Sequence, residues 1–398
     1  MSLTVTVDAS RVQATFHRTS SFPSMSTRVC LCADTICYPE GGGHQWVYLN
    51  WALGLRALGC QVIWLELVDP RTPAQEIQTY VAALRSRLNR YDLGESISLC
   101  SETGEPLSPE ATVGCLDLEL AADADLLLDL GHKMQPGMVK RFRRSALLDI
   151  DPALLQIWVS EGKVCLAPHD VYFSIGETVG QPGAPFPDLG LKWQYTPPCV
   201  ALDWWQPHPA AGNAPFTTVA HWFAAAWTGE EGDFDDKRSG FLPFLELPRH
   251  TRWPLELALD IGSDGEEGAA LLERGWHVRD AHAVASTPWD YQRYIQDSRG
   301  EFSCVKPACV RLQNAWVSDR TLCYLASAKP AVVQHTGPSR FLPDAAGMFR
   351  FRDLLEAARC LEQVAADYER QCRLARALAE EYFDARNVVG RVLERALG

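Results

Sequence analysis

The chain has 398 residues, of which 37 are Lys or Arg and 50 are Asp or Glu, and its formal net charge of −13 argues against a nucleic-acid partner or an anionic membrane surface. This length exceeds one ordinary hydrophobic core, and an apolar content of 47% is that of a globular protein, so we expect two folded domains. The 13 cysteines follow no disulfide framework, no apolar run reaches the roughly 18 residues of a membrane span and no signal peptide opens the chain, which favours a cytoplasmic location.

The first half of the chain begins with the pattern of a Rossmann-like unit. Residues 1–24 are rich in Ser and Thr and are predicted to be a loose extension, and an α/β pattern starts at residue 25. A short apolar strand, Val29–Ala33, leads through a glycine-rich loop to an amphipathic helix and then to a second strand, Gln61–Leu67. The loop does not match GxGxxG, so the sequence does not support a dinucleotide fingerprint.

The glycine-rich loop is the first candidate for ligand contact, and it contains Gly41, Gly42, Gly43 and His44. Glycines before a helix allow the backbone to approach a ligand closely. An imidazole titrates near neutrality, so His44 could remove a proton from an acceptor hydroxyl. Alternatively, the glycines only form a tight turn and His44 caps the helix. The sequence leaves both interpretations open.

Three further apolar runs in the first half are predicted to be strands, and they cover Leu126–Leu130, Ala146–Ile150 and Val171–Ile175. Continuous apolar runs that stop at polar residues are typical of a parallel sheet buried on both faces. Asp151 and Glu177 follow two of these runs and would lie at the carboxyl edge of the sheet. We regard both as candidates to orient a base or to bind an acceptor hydroxyl, although such residues are more often turn or cap residues.

Two segments of the first half carry no strand prediction. Residues 95–118 are expected to be irregular. Residues 178–213 are dense in Pro, Gly and Trp and predict a linker and lid, with the domain boundary near residue 212. Exposed Trp rings in this linker are possible sugar platforms, but anchoring of the linker to the core is the alternative.

The second half again shows an α/β pattern. Phe216–Trp222 is a predicted strand, and an acidic loop, Gly229–Asp236, follows it before Lys237. Leu255–Asp260 and Trp276–Val278 are predicted strands. A short helix, Trp289–Ile295, precedes the next strand, and beyond Phe351 the pattern is helical to the end of the chain.

The segment from residue 298 to residue 343 combines a predicted strand at Gly300–Phe302, a helix that opens at Ser318 and a buried strand at Ala331–Gln334. Ser318 is predicted to cap the helix with its hydroxyl, and Asp319 suits the positive first turn. Arg320 adds a fixed cation beside the free N–H groups of that turn. A helix N-terminus next to an Arg is a good phosphate site.

This segment resembles the donor-binding segment of GT-B glycosyltransferases of families 1 and 4. The residues that carry the resemblance are Asp319-Arg320-Thr321 at the helix start, Ala328-Lys329-Pro330 before the strand and the loop Thr336-Gly337 after it. The resemblance implies an α/β fold with two Rossmann-like domains facing across a cleft. With the boundary near residue 212, residues 25–212 would form the acceptor domain and residues 213–386 the nucleotide-sugar donor domain. Residues 387–398 would form a C-terminal helix that crosses back to the first domain.

The resemblance also implies roles for individual residues. Cys323 stands where many members carry a Glu that holds the ribose, so Glu301 or Asp319 would take over that contact. Lys237 and Lys306 are candidate cations for the donor phosphates. The implied donor-binding residues are Gly41, Gly42, Gly43, Lys237, Glu301, Lys306, Ser318, Asp319, Arg320, Thr321, Thr336 and Gly337. The catalytic candidates are His44, Asp151 and Glu177.

Together these features predict a glycosyltransferase that moves a sugar from a nucleoside diphosphate donor, such as a UDP-sugar, to an unknown small-molecule, glycan or peptide acceptor. No cofactor or metal is expected, because Asp123-Ala124-Asp125 precedes a buried strand and does not suit a divalent ion. Two alternatives remain: a sugar-nucleotide epimerase on the same fold, and a catalytically silent sugar- or nucleotide-binding partner of another enzyme. The oligomeric state is not predicted.

Overall fold

The computed structural model describes residues 26–223, 236–262, 265–343 and 346–398. The predicted extension over residues 1–24 lies outside the described residues. So does the acidic loop 229–236, except for its last residue, Asp236. Over the described part, the chain forms two parallel β-sheets with helices packed around them. This is the predicted α/β architecture with two Rossmann-like domains.

The first sheet contains seven parallel strands. They are β1 (Arg28–Ala33), β2 (Gln61–Val68), β3 (Ile97–Ser101), β4 (Leu126–Asp129), β5 (Ser145–Asp149), β6 (Val171–Ser174) and β7 (Trp193–Tyr195). Their spatial order is β3-β2-β1-β4-β5-β6-β7, the doubly wound order with a switch between β1 and β4. The α-helices between them are α1 (Gly42–Ala57), α2 (Ala74–Leu88), α3 (Leu118–Ala122), α4 (Pro136–Val139) and α5 (Leu154–Ser160).

The second sheet contains six parallel strands. They are β8 (Phe216–His221), β9 (Leu255–Asp260), β10 (His277–Asp280), β11 (Gly300–Ser303), β12 (Ala331–Gln334) and β13 (Met348–Phe351). Their order is β10-β9-β8-β11-β12-β13, which repeats the topology of the first sheet. The α-helices of this half are α6 (Lys237–Phe241), α7 (Gly265–Glu273), α8 (Ala281–Ala285), α9 (Pro288–Asp297), α10 (Pro307–Leu312), α11 (Asp319–Ala326), α12 (Leu354–Ala366), α13 (Tyr368–Leu378) and α14 (Ala385–Leu397).

Three strands lie where the sequence predicted none. β3 falls within the segment expected to be irregular, β7 falls within the predicted linker, and β13 follows the loop after β12, for which no strand was predicted. All three are short edge strands of their sheets, and they pair with β2, β6 and β12 respectively. Their hydrogen bonds to those neighbours, rather than their own composition, define them, so the local pattern was too weak to reveal them.

The linker is anchored to the core by its tryptophans. Trp205 is fully buried, and its ring centroid lies 4.8 Å from that of Trp46 in α1. Trp193 is also buried, whereas Trp204 is 37% exposed. For Trp205 and Trp193 the contacts therefore support hydrophobic anchoring over the sugar-platform interpretation.

The last helix packs on the first domain. The Cβ atom of an alanine at Gly54 in α1 would lie 2.8 Å from Cγ2 of Val389 and 2.9 Å from Cβ of Ala385, so only glycine allows α1 and α14 to approach this closely. Arg144 donates to the carbonyl oxygen of Ala396 at 2.8 Å, and the main chain of Val200 pairs with the main chain beside α14. Among the described residues, no helix has the length and apolar character needed to cross a lipid bilayer.

We expect Gly54→Ala to lower the free energy of unfolding by about 1–3 kcal/mol, because overpacking between α1 and α14 outweighs the better helix propensity of alanine. Gly390→Ala is the matched control: it also lies in a helix, but the nearest atom to the added Cβ is 3.9 Å away, so it should be neutral or stabilising. Urea unfolding of both variants measures the difference. Equal stability of the two variants would contradict the packing described here.

Candidate functional site

The segment 313–316, between α10 and α11, connects the carboxyl edges of the two sheets. The side-chain amide of Asn314 donates to the carbonyl oxygen of Pro152 at 2.8 Å. The backbone N–H of Glu177 donates to the carbonyl oxygen of Asn314 at 3.0 Å. Pro152 and Glu177 follow β5 and β6, and Asn314 follows β11. The loops at the carboxyl ends of both sheets therefore meet, as expected for a ligand site in this fold class.

Thr336 and Gly337, predicted to bind the donor, support this segment. The hydroxyl of Thr336 donates to the carbonyl oxygen of Trp316 at 2.7 Å. Gln313 and Ala315 have positive φ angles of 47° and 56°, and Gly337 has a φ of 128°. A Cβ atom at Gly337 would lie 2.8 Å from the carbonyl oxygen of Gln313, so this position requires glycine for its backbone angle and for the close approach.

Glu177, a catalytic candidate, is buried and engaged in a second contact between the domains. Its carboxylate accepts hydrogen bonds from the hydroxyl of Ser339 and, at 2.8 Å, from the backbone N–H of Arg340. The guanidinium of Arg340 donates to the Glu177 carbonyl oxygen at 2.8 Å. Both carboxylate oxygens are therefore occupied by the second domain, and the residue links the domains.

The glycine-rich loop contacts the second domain rather than an open cleft. A Cβ atom at Gly42 would lie 2.3 Å from the carbonyl oxygen of Thr287, and one at Gly43 would lie 2.6 Å from the ring of Tyr291. The indole N–H of Trp46 donates to the carbonyl oxygen of Pro288 at 2.7 Å. The close backbone approach that the sequence predicted for these glycines is real, but the partner is the start of α9. Gly41 precedes them as the residue before α1.

A pocket of about 80 Å³ lies next to segment 313–316, and it brings together charged residues of both domains. Asp151 comes from the first domain, while Lys237 at the start of α6 and Lys306 just before α10 come from the second. One of the two predicted catalytic carboxylates, Asp151, and two of the three predicted phosphate cations, Lys237 and Lys306, thus line one cavity. Asn314 and Trp316, which the sequence did not single out, complete its wall.

Lys237 is the most perturbed charge of this pocket. Its ammonium donates to the carbonyl oxygen of Cys304 at 2.9 Å. Desolvation, together with the positive charges of Arg320 and Lys306, lowers the pKa of Lys237 from 10.5 to about 7. Positive charges held close to a buried lysine lower its pKa, and a group perturbed in this way is a candidate functional residue.

Arg320 and Glu301, predicted to contact the donor, are paired with each other. The guanidinium of Arg320 donates to Oε1 of Glu301 at 2.8 Å, to the hydroxyl of Ser303 at 2.5 Å and to the carbonyl oxygen of Val219 at 3.0 Å. Glu301 is fully buried and the Arg320 side chain is 13% exposed. Burial opposes the charge of Arg320, but the Glu301 carboxylate beside it raises the pKa of the guanidinium above its ordinary value.

The start of α11 lines a second, smaller pocket of about 20 Å³ that shares Trp316 with the first. Ser318, Arg320, Thr321 and Thr336 contribute to its wall. Ser318 has the extended backbone of an N-cap residue, with φ −70° and ψ 140°, but its side chain makes no capping hydrogen bond. The prediction of a hydroxyl cap was therefore wrong; Ser318 lines the pocket instead.

Asp319, the first residue of α11, lies near enough to the catalytic candidate Asp151 for the charge of Asp151 to affect its pKa. Desolvation and the nearby negative charge of Asp151 raise the pKa of Asp319 to about 7, although a backbone hydrogen bond and the positive charge of Arg320 oppose the rise. The two carboxyl groups come from different domains. A carboxyl group that titrates near neutrality is suited to accept or hold a proton.

His44, the predicted base, is held in one orientation. Its Nε2 lies 2.6 Å from the carbonyl oxygen of Asp34, and because a carbonyl only accepts, Nε2 carries the proton and Nδ1 is the acceptor. The ring lies between Tyr38 and Tyr48, with centroid distances of 4.7 Å and 5.3 Å. Tyr48 was not singled out in the sequence, although it lies one helical turn after His44 on α1.

Tyr48 is fully buried at the same edge of the first sheet. Burial raises the pKa of its phenol well above the ordinary value, and the charges of Asp34, Glu66 and Asp151 act in the same direction. Tyr48 therefore contacts the ring of His44 and lies near the charge of Asp151, while His44 is not among the residues that line the pocket of Asp151. Within the described ranges, no group of three or more His, Cys, Asp and Glu side chains is arranged to hold a metal ion.

No protein-family model and no curated protein matches the chain. Solved structures do match. The alpha-glucosyltransferase AGT in complex with UDP has a TM-score of 0.59 at 11% identity and covers 94% of this chain and 100% of its own. A glycosyltransferase from Rickettsia africae has a TM-score of 0.55 at 10% identity, covering 93% and 98%. HepE from Anabaena, in complex with UDP and glucose, has a TM-score of 0.53 at 11% identity, covering 93% and 99%.

These likenesses extend over both domains and show that the chain has the GT-B fold predicted from its donor-like segment. At this level of identity they show the fold alone.

The lowered pKa of Lys237 makes stability depend on pH. Between about 7 and 10.5 the unfolded chain binds more protons at this site than the folded chain, so the free energy of unfolding rises with pH in that window and is flat below it. Compared with Lys237→Met, the wild type should gain about 2 kcal/mol between pH 7 and pH 9. Urea unfolding at both pH values measures this, with exposed Lys192→Met as the control. Parallel pH profiles for wild type and Lys237→Met would refute it.

Proposed function

We propose that this protein is a glycosyltransferase that transfers a sugar from a nucleoside diphosphate sugar to an acceptor in the pocket between the two domains. The observation that carries the proposal is the cation cluster of Lys237, Lys306 and Arg320 at the carboxyl edge of the donor-side sheet, opposite Asp151. A UDP-sugar is the favoured donor, because AGT and HepE, with the same fold, have been solved with UDP.

The cation cluster would stabilise the diphosphate as the leaving group. Transfer of the sugar leaves negative charge on the diphosphate, and cations already positioned there stabilise that charge. Lys237 and Lys306 line the pocket and would contact the phosphates, while the start of α11 adds its free N–H groups. With this charge provided by side chains, we propose a reaction that needs no metal.

Arg320 and Glu301 act, in this proposal, by positioning. Arg320 connects the start of α11 to β8 and β11 through Val219, Glu301 and Ser303. Its positive charge also disfavours the charge of Lys237 and so prepares that lysine for an anion. Because the Glu301 carboxylate is paired with Arg320, the ribose contact falls to Asp319 or to the hydroxyls of Ser318 and Thr321 at the start of α11.

The acceptor side consists of His44 and Asp151. His44 has Nδ1 as its proton acceptor, and Asp151 lines the pocket directly. One of them removes the acceptor proton, and Asp319, with a pKa of about 7, can hold a proton beside them. We propose a small-molecule, glycan or peptide acceptor. AGT has been solved with DNA, but the net charge of −13 of this chain disfavours a nucleic acid.

We further propose that the protein works in a reducing compartment such as the cytoplasm, since all thirteen cysteines are free thiols.

One prediction of this proposed function concerns UDP binding. Lys237→Met and Lys306→Met should each weaken UDP about 10- to 150-fold, because each removes a charge-assisted hydrogen bond worth about 1.5–3 kcal/mol. At pH 8 the wild type should also take up protons on binding, because a bound diphosphate favours the charged form of Lys237. Calorimetry in buffers of different ionisation enthalpy measures both effects.

Lys192→Met, on the exposed surface, is the control and should bind UDP like the wild type. Loss of proton uptake only in Lys237→Met assigns the proton to that residue. Unchanged UDP affinity in both pocket variants would sink the proposed phosphate site.

The second prediction concerns turnover. Asp151→Asn and His44→Ala should leave UDP affinity nearly unchanged, and the variant that lacks the base should lose roughly 10²–10⁴ in rate. Release of UDP from UDP-glucose, alone and with a pool of sugars and peptides, measures the rate. His250→Ala, an exposed histidine of the second domain, is the control.

The alternatives give different results in the same assay. Conversion of the donor sugar without any acceptor would identify an epimerase. Tight UDP binding with no product under any condition would identify a silent binding partner. Full activity in both Asp151→Asn and His44→Ala would exclude the proposed base.

A further inference from the structure

A third cavity, of about 340 Å³, lies where the edge strand β7, the segment 337–343 and the C-terminal helices meet. Small-molecule sites commonly have volumes of roughly 300–1,000 Å³. We call the pocket lined by Asp151, Lys237 and Lys306 the cation pocket. The new cavity shares no lining residue with it. It is therefore a separate candidate for ligand binding, and we name it the edge pocket.

The walls of the edge pocket are aromatic. The rings of Tyr195 and Phe341 are stacked, with planes 3° apart and centroids 5.2 Å apart, and Tyr382 is a third lining ring. Phe341 remains 49% exposed. An exposed aromatic ring whose other face is already stacked offers a flat apolar surface to a planar ligand.

The rim of the edge pocket is basic. Arg391 and Arg395 line it, against the single acidic residue Glu381. Arg395 donates to the carbonyl oxygen of Tyr195 at 3.4 Å, whereas Arg391 forms no ion pair with any residue that the structure describes. Arg340 lies over the Phe341 ring, 5.2 Å from its centroid. In a chain with a net charge of −13, this local excess of arginine favours an anion.

We infer that the edge pocket binds a planar aromatic molecule that carries a carboxylate or phosphate group. The aromatic ring packs against Phe341 and Tyr382, and the anionic group pairs with Arg391. Arginine is suited to both parts of this task, because its planar guanidinium binds oxyanions in bidentate geometry and stacks on rings. Neither the GT-B fold nor the proposed donor site calls for such a ligand here.

Phenyl phosphate is the probe, because it combines a ring with an anion. The titration uses full-length Lys237→Met protein, which lacks the main donor-pocket cation, and is repeated on the wild type. We expect one molecule bound per chain, at least about tenfold more weakly in Arg391→Gln and in Phe341→Ala, with both substitutions placed in the Lys237→Met background. Both residues are exposed, so folding should be retained, and a thermal melt checks this.

Arg370→Gln, which removes an exposed arginine of α13 outside the pocket, is the matched control and should bind phenyl phosphate normally. Benzyl alcohol and inorganic phosphate test ring and charge separately, and each should bind at least about tenfold more weakly than phenyl phosphate. The inference is overturned if phenyl phosphate does not bind, if Arg391→Gln and Phe341→Ala bind it normally, or if inorganic phosphate binds equally well. Because the probe is tested without Lys237, none of these outcomes depends on whether UDP binds.

Discussion

The hydrogen bonds of Asn314 hold the carboxyl ends of the two sheets together, and the candidate site depends on that contact. Asn314 reaches Pro152 and Glu177 in the first domain, while its own segment borders Lys306 and the start of α11 in the second. Together with the contacts of Glu177 to Ser339 and Arg340, it brings the Asp151 carboxylate of the first domain and the two lysines of the second domain to one pocket. The positive φ angles of Gln313 and Ala315, on both sides of Asn314, are backbone strain kept at this contact between the domains.

The cation pocket shows the cost of such a site. Lys237 is held near Arg320 and Lys306, where desolvation and repulsion disfavour its charge. A stability-optimised domain would avoid this arrangement, but the diphosphate site that we propose would gain from it. The carboxylate of Glu301 stabilises the positive charge of Arg320. Lys237, which lines the pocket, is therefore the cation whose pKa is lowered.

The sequence predicted the fold well because buried parallel strands are continuous apolar runs; β9 and β12 have the predicted bounds. It failed at β3, β7 and β13, edge strands whose identity comes from pairing with a neighbour. For the site, residue types indicated what each group can do but not its partner. Gly42 allows close approach, yet only the fold shows that Thr287 is what approaches. Arg320 is a phosphate-binding type of residue, yet its nearest anion is Glu301.

The segment 337–343 lines the edge pocket and also packs against the segment that lines the cation pocket, and it therefore gives a physical route for coupling. Gly337 packs against segment 313–316, which lines the cation pocket, and Phe341 lines the edge pocket. Between them, Ser339 and Arg340 bind the carboxylate of Glu177. A ligand that orders this segment from one side reduces the entropy lost when a ligand binds on the other. Any such coupling is reciprocal. A ligand in the edge pocket would change the affinity for the donor by the same factor by which the donor changes the affinity for that ligand.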